Sequence, residues 1–207
     1  MKHRLIWLLS IVVLIAGVLA YFFLPLQDRT ETYQGTELGE EAADFRLTDQ
    51  NGALTMLSDF CGKVVVLTFM DSVCTDTCPL TAAQFRQAYR QLDQSETSQV
   101  VFIGVNVNVE ANKIADVAEI TKTWHLDEIP GWHFLTGSRE ELEAVWGDYG
   151  IAAIPREDGK EIMHTPGVFL IDPLGQKRWY VSTPSSTELT VPLSDLLVKH
   201  IREILQS

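Results

Sequence analysis

Two continuous β-branched runs, VVVLTF (residues 64–69) and VVFIGVNV (residues 100–107), constrain the fold of this chain more than any other feature. A strand with no alternating polar face must be covered on both sides, as in the parallel sheet of an α/β protein. Between the two runs, Pro79 opens a helical pattern that puts Leu80, Phe85, Ala88, Tyr89 and Leu92 roughly on one face. Proline suits a first helical turn, where its missing N–H would have had no partner anyway. Strand, helix and strand in this order predict a βαβ unit.

The remaining segments build outward from that unit. DFRLTD and LTMLSDF flank Gln50-Asn51-Gly52-Ala53, a hairpin signal that rests on Asn-Gly. Helical spacing returns at Ile114, Val117, Ala118, Ile120 and Thr121; residues 132–137 read as a strand and 139–149 as a helix. GVFLID, the turn Pro173-Leu174-Gly175 and KRWYVS predict a second hairpin. Leu193, Leu196, Leu197, Ile201, Ile204 and Leu205 then share one face of a last helix. The expected architecture is an α/β sandwich with an N-terminal hairpin and one inserted strand and helix. Ligands of open α/β sheets gather at the carboxyl ends of strands, so attention falls just past Phe69 and on the loop before Gly167.

The N-terminus is of another kind. Lys2 and Arg4 precede an uncharged run over residues 5–26. As a helix it would extend about 33 Å, enough for a hydrocarbon core of about 30 Å. The positive-inside rule keeps Lys2 and Arg4 in the cytoplasm and sends the rest across. The alternative is a cleaved signal peptide ending near Val18-Leu19-Ala20, but Phe22, Phe23 and Leu24 continue the apolar run beyond that point. The expected organisation is a membrane anchor over 1–26, an acidic tether over 27–41 and the folded domain over 42–207. Because no Arg- and Ser-rich presequence precedes the run, the expected location is a bacterial cell membrane, single-pass, with the domain on the periplasmic side. Lys and Arg total 16 against 28 Asp and Glu. That balance does not suit phosphate neutralisation, and no nucleic-acid partner is expected.

Three cysteines are too few for a disulfide scaffold, so their chemistry is local. Cys74 and Cys78, in MDSVCTDTCPL, stand four apart where the first buried strand gives way to a helix. A helix N-terminus offers unpaired N–H groups and a positive dipole end, which favour the thiolate. The pair can close a disulfide or hold one ion; a purely structural disulfide would close too short a loop to stabilise much. Asp76 between the thiols would raise their pKa by charge repulsion, while Asp71 or Ser72 would cap the turn. Cys61 reads as a small packed residue. His3, His125, His133 and His200 read as surface or capping residues. His164 in MHTPGVFLID is different, because its loop should face the start of the first helix; the alternative is a solvent-facing loop histidine. Two thiolates and an imidazole favour Cu(I) or zinc over magnesium or calcium. Structural zinc normally wants four protein ligands, which leaves copper as the better match to three.

FxxxxCxDxCPL after a buried strand, followed about ninety residues later by HTPGVFLIDPLG, resembles the SenC/Sco family of membrane-anchored, thioredoxin-like copper proteins. The likeness runs from about Leu38 to the C-terminus. It implies a thioredoxin-like sandwich in which Cys74, Cys78 and His164 bind copper, as Cu(I) or Cu(II), and the two thiols also cycle as a redox pair. It further implies a copper-receiving respiratory partner such as cytochrome c oxidase, or maintenance of that enzyme's cysteine pair. A second reading is a thiol–disulfide oxidoreductase acting on envelope proteins, an enzyme for which His164 is dispensable. Thr165-Pro166 also resembles the cis-proline loop of thioredoxin-like reductases. The chain departs from the family twice: Thr75 replaces the Pro that usually follows the first motif Cys, and NVNVEANK replaces an Asp-Pro-x-x-Asp stretch.

Overall fold

The computed structural model describes residue 7 and residues 35–157, 161–183 and 191–207. Apart from Trp7, the anchor expected over 1–26 lies outside the described residues. Among the described residues no helix is long and apolar enough to cross a membrane. The chain runs β1 (Thr36–Glu41), β2 (Arg46–Thr48), β3 (Leu54–Met56), β4 (Val64–Met70), α1 (Thr77–Gln91), α2 (Gln94–Thr97) and β5 (Val100–Asn106). It continues with α3 (Ile114–Thr123), β6 (Trp132–Leu135), α4 (Arg139–Asp148), β7 (Ala153–Pro155), β8 (Ile162–His164), β9 (Val168–Ile171), β10 (Gln176–Val181) and α5 (Leu193–Leu205).

Every residue of β4 and β5 is buried, and the two pair in parallel with Val64 opposite Val100 and Met70 opposite Asn106. β6 joins β5 in parallel, while the hairpin β9–β10 packs antiparallel on the other side of β4, giving the order β1-β10-β9-β4-β5-β6. Alternate residues of the central strands enter different cores, which is why the runs lack a polar phase. Val64 and Val66 meet Ala82, Phe85, Leu197 and Ile201 from α1 and α5. Val65 and Leu67 share the other core with Leu142, Val145 and Trp146 of α4 and Leu47 of the β2–β3 hairpin. Phe85 is fully buried, with its ring edge-on to Phe102 at 5.5 Å; emptying that position would cost about 3–5 kcal/mol. This is the thioredoxin-like sandwich, with the expected N-terminal hairpin and the insertion of β6 and α4.

Several details depart from the periodicity. Leu80 is exposed, and α1 instead buries Cys78, Ala82, Phe85 and Ala88. The acidic stretch over 27–41 enters the sheet before its end, because Thr36–Glu41 forms β1 against β10. Cys61 is exposed rather than packed. His200 is fully buried on α5, its ring 4.1 Å from that of Trp179, and is not a surface residue. His133 lies against Phe60, ring centroids 5.0 Å apart.

Candidate metal centre

Met70 ends β4, and the backbone then turns sharply around Asp71. This carboxylate is fully buried, and one oxygen accepts from the Val73 N–H at 3.0 Å and from Asn108 Nδ2 at 2.9 Å. The Cys74 N–H donates to the Asp71 carbonyl at 3.1 Å, closing the turn. Asp76, not Asp71 or Ser72, is the N-cap of α1 and accepts from the Thr77 N–H. Cys78 therefore falls in the first helical turn, and its N–H points at Cys74 Sγ from 3.4 Å. The NVNVEANK segment braces the same turn: Asn106 Oδ1 accepts from the Ser72 N–H at 3.3 Å, and Ser72 Oγ donates to the Ala111 carbonyl at 2.7 Å.

His164 is delivered by β8, which pairs with β7 so that Ala153 faces it. The second oxygen of Asp71 accepts from the Ile162 N–H at 2.6 Å, so one buried carboxylate ties the histidine strand to the cysteine turn. Nε2 of His164 lies 3.8 Å from Cys78 Sγ. Nδ1 lies 3.1 Å from the Thr165 carbonyl, a contact that assigns the proton to Nδ1 and leaves the Nε2 lone pair facing sulfur. The following loop is held from above, where Tyr180 Oη donates to the Pro166 carbonyl. Gly167 is required there, since a Cβ would stand 2.4 Å from the Tyr180 ring. No cis peptide bond occurs among the described residues, so Thr165-Pro166 is trans, unlike the reductase loop it resembles.

The two thiols are electrostatically unequal. Cys74 is lowered to about 7, chiefly by a hydrogen bond from the Cys78 side chain and then by the backbone N–H groups of Cys78 and Asp76; burial and the Asp76 carboxylate, 3.1 Å from Sγ, oppose the shift. Asp76 thus acts in the expected direction without dominating. Cys78 moves well up, because it shares its proton with Cys74 and is more deeply buried. The first thiolate therefore belongs to Cys74. Burial lowers His164, against smaller opposing effects of the Thr165 carbonyl, Asp71 and Asp76, which keeps the ring neutral and able to ligate.

Among the described residues no three His, Cys, Asp or Glu side chains already converge as a closed ligand set. Cys74 Sγ is turned toward Asp76 and the start of α1. The Cys78–His164 pair nevertheless fits one soft ion. Metal bonds of about 2.3 Å to sulfur and about 2.0 Å to nitrogen, splayed at a trigonal angle, put the two donors about 3.7 Å apart. Deprotonation of Cys74 removes its bond to Asp76 and leaves the sulfur accepting from the Cys78 N–H. The sequence pointed to Cys74, Cys78 and His164; the fold brings His164 to Cys78, while Cys74 Sγ faces Asp76 and the Cys78 N–H. It gave no hint of Asp71 as their joint support, nor of Glu161 and Arg156 at the rim. Arg156 reaches Asp76 at 2.9 Å and Glu161 at 2.8 Å, and no local pattern records such pairings.

Paired thiols at the first helix with an imidazole opposite Cys78 are groups capable of thiol redox chemistry and of soft-metal ligation. The SCO1/SenC family model matches residues 34–193, and the chain belongs to that family. The mitochondrial SCO2 homolog of Bos taurus is 28% identical over 180 residues, covering 84% of this chain and 64% of its own length, so this chain spans less than two thirds of that relative. Arabidopsis thaliana ScoI, solved with copper bound, superposes with a TM-score of 0.68 at 23% identity, over 80% of this chain and 99% of that one. BsSco, described as having a disulfide switch and as a member of the Sco family of cytochrome c oxidase assembly proteins, superposes with a TM-score of 0.63 at 20% identity. That match covers 83% of this chain and 97% of BsSco.

Proposed function

We propose that this chain is a membrane-anchored copper carrier of the periplasmic side. It would hold one copper through Cys74, Cys78 and His164 and pass it to a respiratory acceptor such as cytochrome c oxidase. The observation that carries this reading is the neutral His164 ring presenting Nε2 to Cys78 at 3.8 Å, at the mouth of a helix whose first turn already favours a thiolate. A redox protein has no use for that ring; a soft cation does. Release would proceed by ligand exchange, the thiols of the acceptor displacing those of the donor one at a time. The copper-bound ScoI of Arabidopsis and the oxidase-assembly role stated for BsSco support the reading by kinship. Anaerobic titration of the purified, reduced chain with Cu(I) and Cu(II) tests it. One copper per chain, with sulfur-to-copper charge-transfer bands for Cu(II), is the expected result, and no uptake would refute it.

The Cys74 thiol, lowered to about 7, favours a second activity in the same residues. Cys74 thiolate would attack a client disulfide, expel one client thiolate and form a mixed disulfide. Cys78 would then attack Cys74 Sγ, releasing the second client thiol and leaving a Cys74–Cys78 disulfide for an external dithiol to reduce. Turnover of a model disulfide with that reductant, in the parent and in His164→Ala, tests it.

A further inference from the structure

Thr75, between the two cysteines, occupies the position of the family's Pro, and unlike Pro it has two protons to donate. Both go to one oxygen: Glu161 Oε1 accepts from the Thr75 N–H at 3.1 Å and from Thr75 Oγ1 at 2.7 Å. The other carboxylate oxygen, Oε2, accepts from Arg156 Nη1 at 2.8 Å, and Arg156 Nη2 reaches Asp76 Oδ2 at 2.9 Å. The Arg156 N–H donates to the Glu161 carbonyl at 2.9 Å, so the two residues face each other across the hairpin. Glu161 keeps only 14% of its side chain exposed. A chain of charge-assisted contacts therefore runs from the cysteine turn, through Glu161 and Arg156, back to Asp76 beside Cys74.

The placement gives this chain of contacts a purpose. Glu161 lies three residues before His164, next to Ile162, whose N–H is held by Asp71. The histidine strand is thus gripped twice, from beneath by Asp71 and at the rim by Thr75. A guanidinium bridging two carboxylates, one of which also accepts two donors from Thr75, is constrained from several sides, which an isolated exposed ion pair is not. We propose that Glu161, with Arg156 and Thr75, is a clasp that positions His164 against the cysteine pair and thereby sets how slowly bound copper is released. The proposal rests on the copper reading above. Residues that orient a metal ligand without touching the metal typically change affinity about ten- to a hundred-fold when removed.

The test follows transfer of Cu(I) from the loaded full chain to a chromophoric chelator, in the parent and in Glu161→Ala, Glu161→Gln and Arg156→Ala. Release about ten-fold faster or more is expected for Glu161→Ala. Glu161→Gln should be intermediate, since it keeps an acceptor for Thr75 but loses the charge that holds Arg156. Repeating Glu161→Ala on a His164→Ala background separates positioning from general loosening, because a residue acting through His164 has no further effect once that ring is gone. Amide exchange at Thr75 in the metal-free chain should quicken in Glu161→Ala while amides of β4 and β5 keep their protection. A parent that binds copper, with Glu161→Ala releasing it at the parental rate, overturns the clasp alone. An equal acceleration with and without His164 also overturns it. A parent that takes up no copper removes the copper reading and the clasp together.

Discussion

His164 Nε2 faces Cys78 Sγ across 3.8 Å, although 86 residues separate them in the chain. The ring's other nitrogen is engaged by the Thr165 carbonyl, so only one lone pair is on offer and it is aimed at Cys78. His164→Ala should therefore reduce copper affinity by at least about a hundred-fold, more than loss of a supporting residue. It should leave alkylation of the cysteines nearly unchanged, since their pKa shifts come from one another and from the start of α1. Competition with a calibrated chelator measures the first effect and mass spectrometry of alkylated protein the second. Parental copper binding in the variant would defeat the carrier model.

The inequality of the two thiols predicts a pH profile. Cys74 is depressed to about 7, so the folded state favours its thiolate over the unfolded chain. That contribution to stability is fully present above the usual thiol pKa and is lost as pH falls through about 7. In the reduced, metal-free chain, iodoacetamide labelling of the pair, read residue by residue so that exposed Cys61 is counted apart, should reach its half-maximal rate near pH 7 at Cys74. Cys78, shifted the other way, should label only at alkaline pH. Labelling of both residues with one common midpoint would contradict the arrangement.

How far the sequence foretold this depends on whether an element carries its own signal. β4 and β5 were legible because burial on both faces leaves no polar phase, and the approach of His164 to Cys78 because a loop before β9 must lie opposite the start of α1. β1 was not, since it is an edge strand whose mostly exposed acidic side chains show no period; its one ion pair to β10, Glu40 with Lys177 at 2.7 Å, joins residues 137 positions apart. The β7–β8 hairpin has three residues per strand and few buried positions, too short for a period to show. Leu80 fitted the helical face by spacing, yet α1 turns it to solvent beside the cysteines. Asp71 read as a cap of the turn, and it does accept from the Val73 N–H; its further partners, Asn108 and Ile162, are 37 and 91 residues away and leave no local signal.

Asp71 should be the least replaceable residue around the site. Its two oxygens accept from Val73, Asn108 and Ile162 in a fully buried setting. Asp71→Ala strands three donors, for which a loss of about 3 kcal/mol or more is expected. In a domain of this size that lowers the melting temperature by about 10 °C. Because the Ile162 bond also carries the histidine strand, copper affinity should fall more than thiol reactivity does. A variant that melts with the parent would show that water or a rearranged turn replaces the carboxylate.

Gly167 offers a sharper test of what holds the loop after His164. A methyl group there meets the Tyr180 ring at 2.4 Å, so Gly167→Ala must displace either the ring or the Thr165-Pro166 segment. Overpacking of this kind costs about 1–3 kcal/mol. If the ring moves, its hydrogen bond to the Pro166 carbonyl is lost as well, and the support of His164 loosens from that side. The backbone φ of +155° at Gly167 is a separate source of strain for any side chain. The two causes part on a Tyr180→Ala background, where the steric conflict is gone and only the backbone term remains. The destabilisation by Gly167→Ala, read from denaturant midpoints, should shrink markedly there. An undiminished loss would mean that the glycine is kept for its backbone conformation and that Tyr180 does not position the histidine loop.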